Sequence, residues 1–272
     1  MSQNGKGDKW RGGWNQTYAN NYEKIFGSNV KKNKRKIFIF DVDGTLTPSR
    51  RKATKEFKEF FSEWADNNTF YLVTGSDLPK MQEQLDGLEE KAAGIFTCCG
   101  NQFYLKNQIQ YDYKFTPPKL LLNYLNAFLE KSDYHHRAGN HIEDRGCMLN
   151  FSVVGRDCSV MERENYFKWD NENKEREEIV NLINGRFPEL EAVIGGQISI
   201  DIYPKGMDKS QVLEHIEDIE EKYCPEKYIF IGDRTEEGGN DYPLAKLMEE
   251  KDFRQVYQTK NWESTKQTLE DL

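Results

Sequence analysis

The chain has 272 residues, of which 37% are hydrophobic, 13% aromatic and 31% charged. Its longest apolar runs, such as Ile37–Phe40 and Tyr228–Ile231, are strand-sized. They fall far short of the ~20 residues that cross a bilayer, which excludes a transmembrane helix. The net charge of −8 hides an asymmetry: residues 1–36 sum to +7 and the remainder to −15. That balance argues against a broad basic, nucleic-acid-binding face on the globular part, and leaves room for local arginine pockets.

The five cysteines are an odd number with no Cys-x-x-Cys pair, and no apolar leader precedes them. A reduced, cytoplasmic setting is expected. None of the four histidines has ligand spacing with a cysteine, which disfavours zinc.

Residues 1–35 are rich in Gly, Asn and Lys, with Trp10 and Trp14 as isolated aromatics. They read as a flexible basic arm. A nucleic-acid or partner contact is the lesser reading, because basic and aromatic residues interleave there. From Lys36 the pattern alternates. Ile37–Phe40 is a buried parallel strand, and Phe57, Phe60, Phe61 and Trp64 recur at helical spacing. Strand Phe70–Val73, helix Leu78–Leu85 and strand Gly94–Thr97 follow. The middle reads as helix–strand–strand twice over: Leu120–Glu130, then strands near 141–143 and 148–153; Lys174–Phe187, then Ala192–Ile194 and Gln197–Tyr203. The alternation then returns with helix Ser210–Tyr223, strand Tyr228–Ile231, helix Tyr242–Glu250, strand Phe253–Tyr257 and helix Glu263–Leu269. The expected class is α/β: a Rossmann-like core with a parallel sheet (36–113 and 205–272), interrupted by an α+β cap with an antiparallel sheet (114–204).

Chemistry concentrates where Asp41-Val42-Asp43-Gly44-Thr45 follows the first core strand. Ligands of open parallel sheets bind beyond the carboxyl ends of strands. Two carboxylates at i and i+2 can approach one centre if the chain turns, and Gly44 permits the turn. Such a pair can bind a divalent cation, or serve as nucleophile and acid/base.

This motif resembles the first motif of the haloacid dehalogenase-like hydrolases. The others follow in order: Thr74-Gly75-Ser76, Lys209, Gly232-Asp233 and Gly239-Asn240-Asp241. Over residues 36–257 the chain is more closely similar to the eukaryotic-type α-phosphomannomutases. The similarity runs through Leu46-Thr47-Pro48-x-Arg50, Arg145-x-x-Met148-Leu149-Asn150, Ser152-x-x-Gly155-Arg156, Arg163, and Ile198-Ser199-Ile200-Asp201. It departs at Cys98-Cys99, Cys147, Thr74 and Glu236-Glu237.

The resemblance implies a phosphomannomutase of GDP-mannose biosynthesis that interconverts mannose 6-phosphate and mannose 1-phosphate. Asp41 would be the nucleophile and Asp43 the acid/base. Thr74, Ser76 and Lys209 would stabilise the transferring phosphoryl group. Mg²⁺ would sit on Asp41, the Asp43 carbonyl and Asp233, with Asp241 completing or orienting that shell. Arg145, Arg156 and Arg163, helped by Arg50, would clamp the distal phosphate of a phosphorylated hexose, and Ser199 and Asp201 would contact its hydroxyls. A hexose 1,6-bisphosphate would act as activator, and a homodimer would form through the cap. A Mg-dependent sugar phosphatase on the same fold, and an inactive binding protein using its basic arm, stand as alternatives.

Overall fold

Successive side chains of β1 (Lys36–Phe40) point to opposite sheet faces, and both faces are buried. Ile37 and Ile39 pack with Tyr71, Phe96, Val212 and Ile216. Phe38 and Phe40 pack on the other side with Phe57, Phe61, Leu72 and Ile231. A strand covered by helices on both faces needs a continuous apolar run, which is how this one reads.

The computed structural model describes residues 35–49, 51–106, 108–223 and 225–272. The basic arm therefore lies outside the described residues except for Arg35, which pairs with Glu220 and stacks over the Tyr223 ring. Arg50 also lies outside them.

Helix α1 (Lys55–Ala65) is capped by the Thr54 side chain and packs Phe57 and Phe61 inward. β2 (Thr69–Val73), α2 (Leu78–Leu85) and β3 (Gly94–Thr97) follow as expected. Next comes a hairpin that the sequence reading passed over, β4 (Gln102–Leu105) and β5 (Gln108–Asp112). β5, an exposed edge with two glutamines, carries no continuous apolar run, and β4 buries only alternate residues. After an intervening segment that holds α3 to α5 and β6 to β9 come α6 (Gln211–Glu220), β10 (Lys227–Gly232), α7 (Tyr242–Met248), β11 (Arg254–Gln258) and α8 (Trp262–Asp271). The order of the large sheet is β11-β10-β1-β2-β3-β4-β5, parallel except for the two last pairings.

The intervening segment holds α3 (Lys119–Lys131), β6 (Ile142–Asp144), β7 (Leu149–Phe151), α4 (Val160–Asn173), α5 (Glu175–Arg186), β8 (Leu190–Gly195) and β9 (Ser199–Pro204). The second sheet is antiparallel in the order β6-β7-β9-β8. Leu121, Tyr166, Ile183, Leu149, Phe151 and Ile200 fill the space between its outer face and the three helices. No helix among the described residues is long and apolar enough to cross a membrane.

Helix α4 was absent from the sequence reading. Its buried residues are Arg163, Tyr166 and Asp170, so it shows no apolar stripe. Its one local signal is the Ser159–Glu162 capping box. What holds its end is a buried ion pair: Arg176 Nε lies 2.7 Å from Asp170 Oδ2, and the Arg176 backbone N–H donates to Asp170 Oδ1. Asp170→Ala leaves a buried guanidinium unpaired. It should lower unfolding stability by about 3–5 kcal/mol in a urea titration, and adding Arg176→Met should recover most of that. A single-variant loss under about 1 kcal/mol would show that the pair behaves like an exposed one.

Candidate active site

The carboxyl ends of β1, β2 and β10 meet at one edge of the large sheet. Asp41 follows β1, Thr74 follows β2 and Asp233 follows β10. The Asp41 N–H still bonds to the Ile231 carbonyl at 3.0 Å, so β10 sets its position. Beyond it the amides of Thr45, Leu46 and Thr47 all donate to the Val42 carbonyl in a tight loop. Gly44 has φ +89° there, and a Cβ would overlap the Asp233 carboxylate. Only glycine brings these two carboxylate-bearing segments this close.

Lys209 is wholly buried, with Nζ 2.6 Å from Asp41 Oδ1 and 2.6 Å from Asp241 Oδ1. Burial alone would push its pKa down, but the charges of Asp241 and Asp41 hold it well above its ordinary value. Asp241 also accepts the Arg234 N–H at Oδ2, so both its oxygens are engaged. Asp41 is pushed up to about 7 by burial and then by Asp241, with Lys209 opposing. Asp233 is pushed up to about 9 by burial and then by Asp41 and Asp241.

Asp41, Asp233 and Asp241 bring carboxylate oxygens within 4.8 Å of one another. A set of hard oxygen donors with more negative than positive charge fits a divalent cation. Any of the three can offer a ligand oxygen: Asp241 is held by Lys209 and the Arg234 N–H, and Asp41 in the same way by Lys209 and the Thr45 hydroxyl.

Asp43 receives a hydrogen bond from Gln84 Nε2 at 3.0 Å on Oδ1. Gln84 had no role in the sequence reading. Its signal is a polar residue at a buried position of α2, beside Met81 and Leu85. The Thr74 hydroxyl accepts the Ser76 N–H at 3.1 Å, which leaves its own hydrogen to donate.

The opposite wall of the cleft is the inner face of the second sheet. Register pairs Glu143 with Asn150 and Asn150 with Asp201, so these three form one row across β6, β7 and β9. Ser199 lies on the same face of β9 as Asp201. Arg145 donates to Glu143 Oε2 (2.6 Å from Nη2) and to the Gly75 carbonyl of the large-sheet side. Arg156 reaches the same Glu143 oxygen at 3.0 Å and donates to Ser199 Oγ at 2.9 Å. Burial would depress Arg145, but Asp201 and Glu143 raise it; Arg156 is lowered by burial and by Arg145. Arg163 is buried at the start of α4, where Nη2 lies 3.9 Å from Cys158 Sγ. Burial lowers it, while the charges of Cys158 and Asp43 act the other way. Glu143, on β6 two residues before Arg145, was a second residue the sequence reading missed.

The space between the walls, counted together with its opening to solvent, is about 490 Å³. Asp41, Asp43, Thr74, Ser76, Arg145, Ser199, Asp201 and Asp233 line it, joined by Asn150, Arg234 and Asn240. Lys209 and Asp241 stand behind its floor. Cys98, Cys99, Cys147, Met148, Val193 and Tyr203 form an apolar seam between the two sides.

The family described as eukaryotic phosphomannomutase matches residues 57–272. The phosphomannomutase of Encephalitozoon cuniculi is 37% identical over 224 residues, covering 79% of this chain and 86% of that protein. That of Drosophila melanogaster is 37% identical over 219 residues, covering 76% and 85%. In fold, the chain is similar to a mutant IMP-nucleotidase of Plasmodium falciparum solved with IMP bound. That match has a TM-score of 0.55 and 15% identity, and covers 93% of this chain and 76% of the other.

The raised carboxyl groups set a sign for stability. The folded chain binds more protons than the unfolded one above the unfolded value of 3.8, up to about 7 at Asp41 and about 9 at Asp233. Without a divalent cation, stability contributed here should fall as pH rises through that window. A divalent cation added to chelator-treated protein should raise the melting temperature more at pH 8 than at pH 5, where protons compete. Asp233→Ala should abolish that increment; an equal shift in the variant would remove Asp233 from the cation site.

Proposed function

The chain belongs to the eukaryotic phosphomannomutase family, and from that premise we propose how its residues carry phosphoryl transfer between the two ends of mannose. It is a phosphomannomutase, an enzyme of haloacid dehalogenase-like fold that interconverts mannose 6-phosphate and mannose 1-phosphate. The observation that carries the site assignment is the wholly buried Lys209, hydrogen-bonded to Asp41 at 2.6 Å behind the floor of a cleft whose other wall carries Arg145.

Asp41 is the nucleophile. One carboxylate oxygen attacks phosphorus, and the bond from phosphorus to the sugar oxygen breaks, which leaves an aspartyl phosphate. Asp43 gives a proton to the departing sugar oxygen, and takes one from the hydroxyl that later accepts the phosphoryl group. Gln84 holds Asp43 in place for both roles. Thr74, Ser76 and Lys209 donate hydrogen bonds to the phosphoryl oxygens as charge redistributes. Mg²⁺, held by Asp41, the Asp43 carbonyl and Asp233 with Asp241 orienting, would offset the charge between carboxylate and phosphate.

Residues 114–204 act as a cap over the core of 36–113 and 205–272. Arg145, Arg156 and Arg163 hold the phosphate that is not reacting, and Ser199 and Asp201 bind sugar hydroxyls. The Arg145 bond to the Gly75 carbonyl supports this, because it ties the distal clamp to the loop that binds the reacting phosphoryl group. A hexose 1,6-bisphosphate is the activator, since Asp41 must begin phosphorylated. Excluding water is what returns the group to sugar.

With mannose 1-phosphate, Mg²⁺ and a hexose 1,6-bisphosphate, mannose 6-phosphate should accumulate with little free phosphate. Asp43→Asn should slow this roughly 10²–10⁴-fold. Asp41→Asn should reduce it to background, and Arg156→Ala should raise KM more than it lowers kcat. Free phosphate as the main product would make the enzyme a phosphatase; full activity in Asp41→Asn would move the nucleophile elsewhere.

A further inference from the structure

Asn150 lines the cleft at the centre of the polar row, between Glu143 on β6 and Asp201 on β9. It is 3% exposed. Its amide nitrogen donates to Asp201 Oδ1 at 2.6 Å. Its amide oxygen is buried and has no partner among the described residues. Exchanging the two ends of the amide would not help, because the oxygen would then face a carboxylate at that distance. The partner therefore fixes the orientation, with the acceptor left over.

A buried acceptor without a donor destabilises the chain that holds it, so an orphan of this kind calls for an occupant. The neighbourhood points to a neutral donor. Arg145 and Arg156 are already gathered on Glu143. Beside Asn150, space is kept clear at the second oxygen of Asp201: a Cβ on Gly195 would lie 2.5 Å from Asp201 Oδ2, and one on Gly75 would lie 3.1 Å away. Two acceptors on adjacent strands thus stand together on a wall that carries glycines, with the arginine clamp to one side.

We propose that Asn150 is a sugar-reading residue, with its amide oxygen accepting a hydrogen bond from one ring hydroxyl while its amide nitrogen aims Asp201 at a neighbouring one. This rests on the hexose phosphate reading of the cleft. Asn150 then does two separable things. It positions Asp201, and it discriminates directly between sugars that do and do not present a hydroxyl at its oxygen. Site residues at each phosphate would tolerate many hexose phosphates; the Asn150–Asp201 pair would be where one sugar is told from another.

The experiment is a functional-group cycle on the full chain, read by calorimetric binding without the bisphosphate activator. Mannose 1-phosphate and its 2-, 3- and 4-deoxy analogues are titrated into the wild type, Asn150→Ala, Asn150→Ser, Asp201→Ala and the Asn150→Ala/Asp201→Ala pair. One deoxy analogue should bind the wild type about tenfold more weakly than the parent, as expected for one lost neutral hydrogen bond. For that analogue the penalty should shrink below about twofold in Asn150→Ala and persist in Asp201→Ala, which separates the direct contact from the positioning of Asp201. A merely structural asparagine would weaken all four sugars alike, and that result overturns the proposal. So does a wild type indifferent to every deoxy position, a result that needs no variant to fold. If the penalty also vanishes in Asp201→Ala, the hydroxyl belongs to Asp201 and the direct contact is overturned. Specific coupling in binding alongside phosphate release in the mutase assay would support Asn150 while overturning the transfer to sugar.

Discussion

An ammonium group sealed between two carboxylates sets the terms for the rest of this molecule. Lys209 has no exposed surface, and neither does Asp241. Removing either partner would leave a charge in a space that cannot solvate it, a far larger loss than any exposed pair could cause. The three segments that meet there, the end of β1, the approach to α6 and the approach to α7, are distant in sequence. Their convergence is thus an electrostatic requirement of folding as well as of chemistry. The return from the second sheet is held to match: Asn101 Nδ2 donates to the Met207 carbonyl, and Asp208 accepts the Ser210 N–H. Those contacts deliver Lys209 five residues after β9 ends.

The same arrangement explains how a chain of net charge −8 accommodates an anionic substrate. Long-range charge matters little inside a cleft whose walls carry their own counter-charges. On one side the carboxylates are already strained toward protonation and would accept a cation. On the other, Arg145 and Arg156 converge on a single carboxylate oxygen of Glu143. Glu143 keeps two like charges together before any phosphate arrives, so the anion meets an assembled clamp. The Arg156 Nε is buried and has no partner among the described residues, a donor still to be used.

Much of this was legible where the signal is local. The apolar run into Asp41, the turn at Gly44 and the period of α1 all depend on residues within one turn or one strand. The alternation of Ser199 and Asp201 with Ile200 and Ile202 was legible for the same reason. Lys209, Asp233 and Asp241 could be placed only through the resemblance, because nothing within ten residues of Lys209 says that it meets Asp41. Gln84 and Glu143 were missed since a polar residue earns its place there through a partner on another element. The hairpin β4–β5 and helix α4 escaped for a different reason. An exposed edge and a helix anchored by Tyr166 and the Asp170–Arg176 pair bury too little apolar surface to leave a periodic trace.

The row Glu143–Asn150–Asp201 exists because three strands are held in one register, and β7 is only Leu149–Phe151. Its flanking positions are core residues, Leu149 and Phe151, both fully buried against the helices. A one-residue insertion or deletion in the turn at 145–148 would turn a core side chain into the cleft and the amide into the core. Length change is therefore closed to this wall as a route of divergence. A descendant of this enzyme could acquire a different sugar only by exchanging side chains at fixed positions, one at a time, on a backbone that stays as it is.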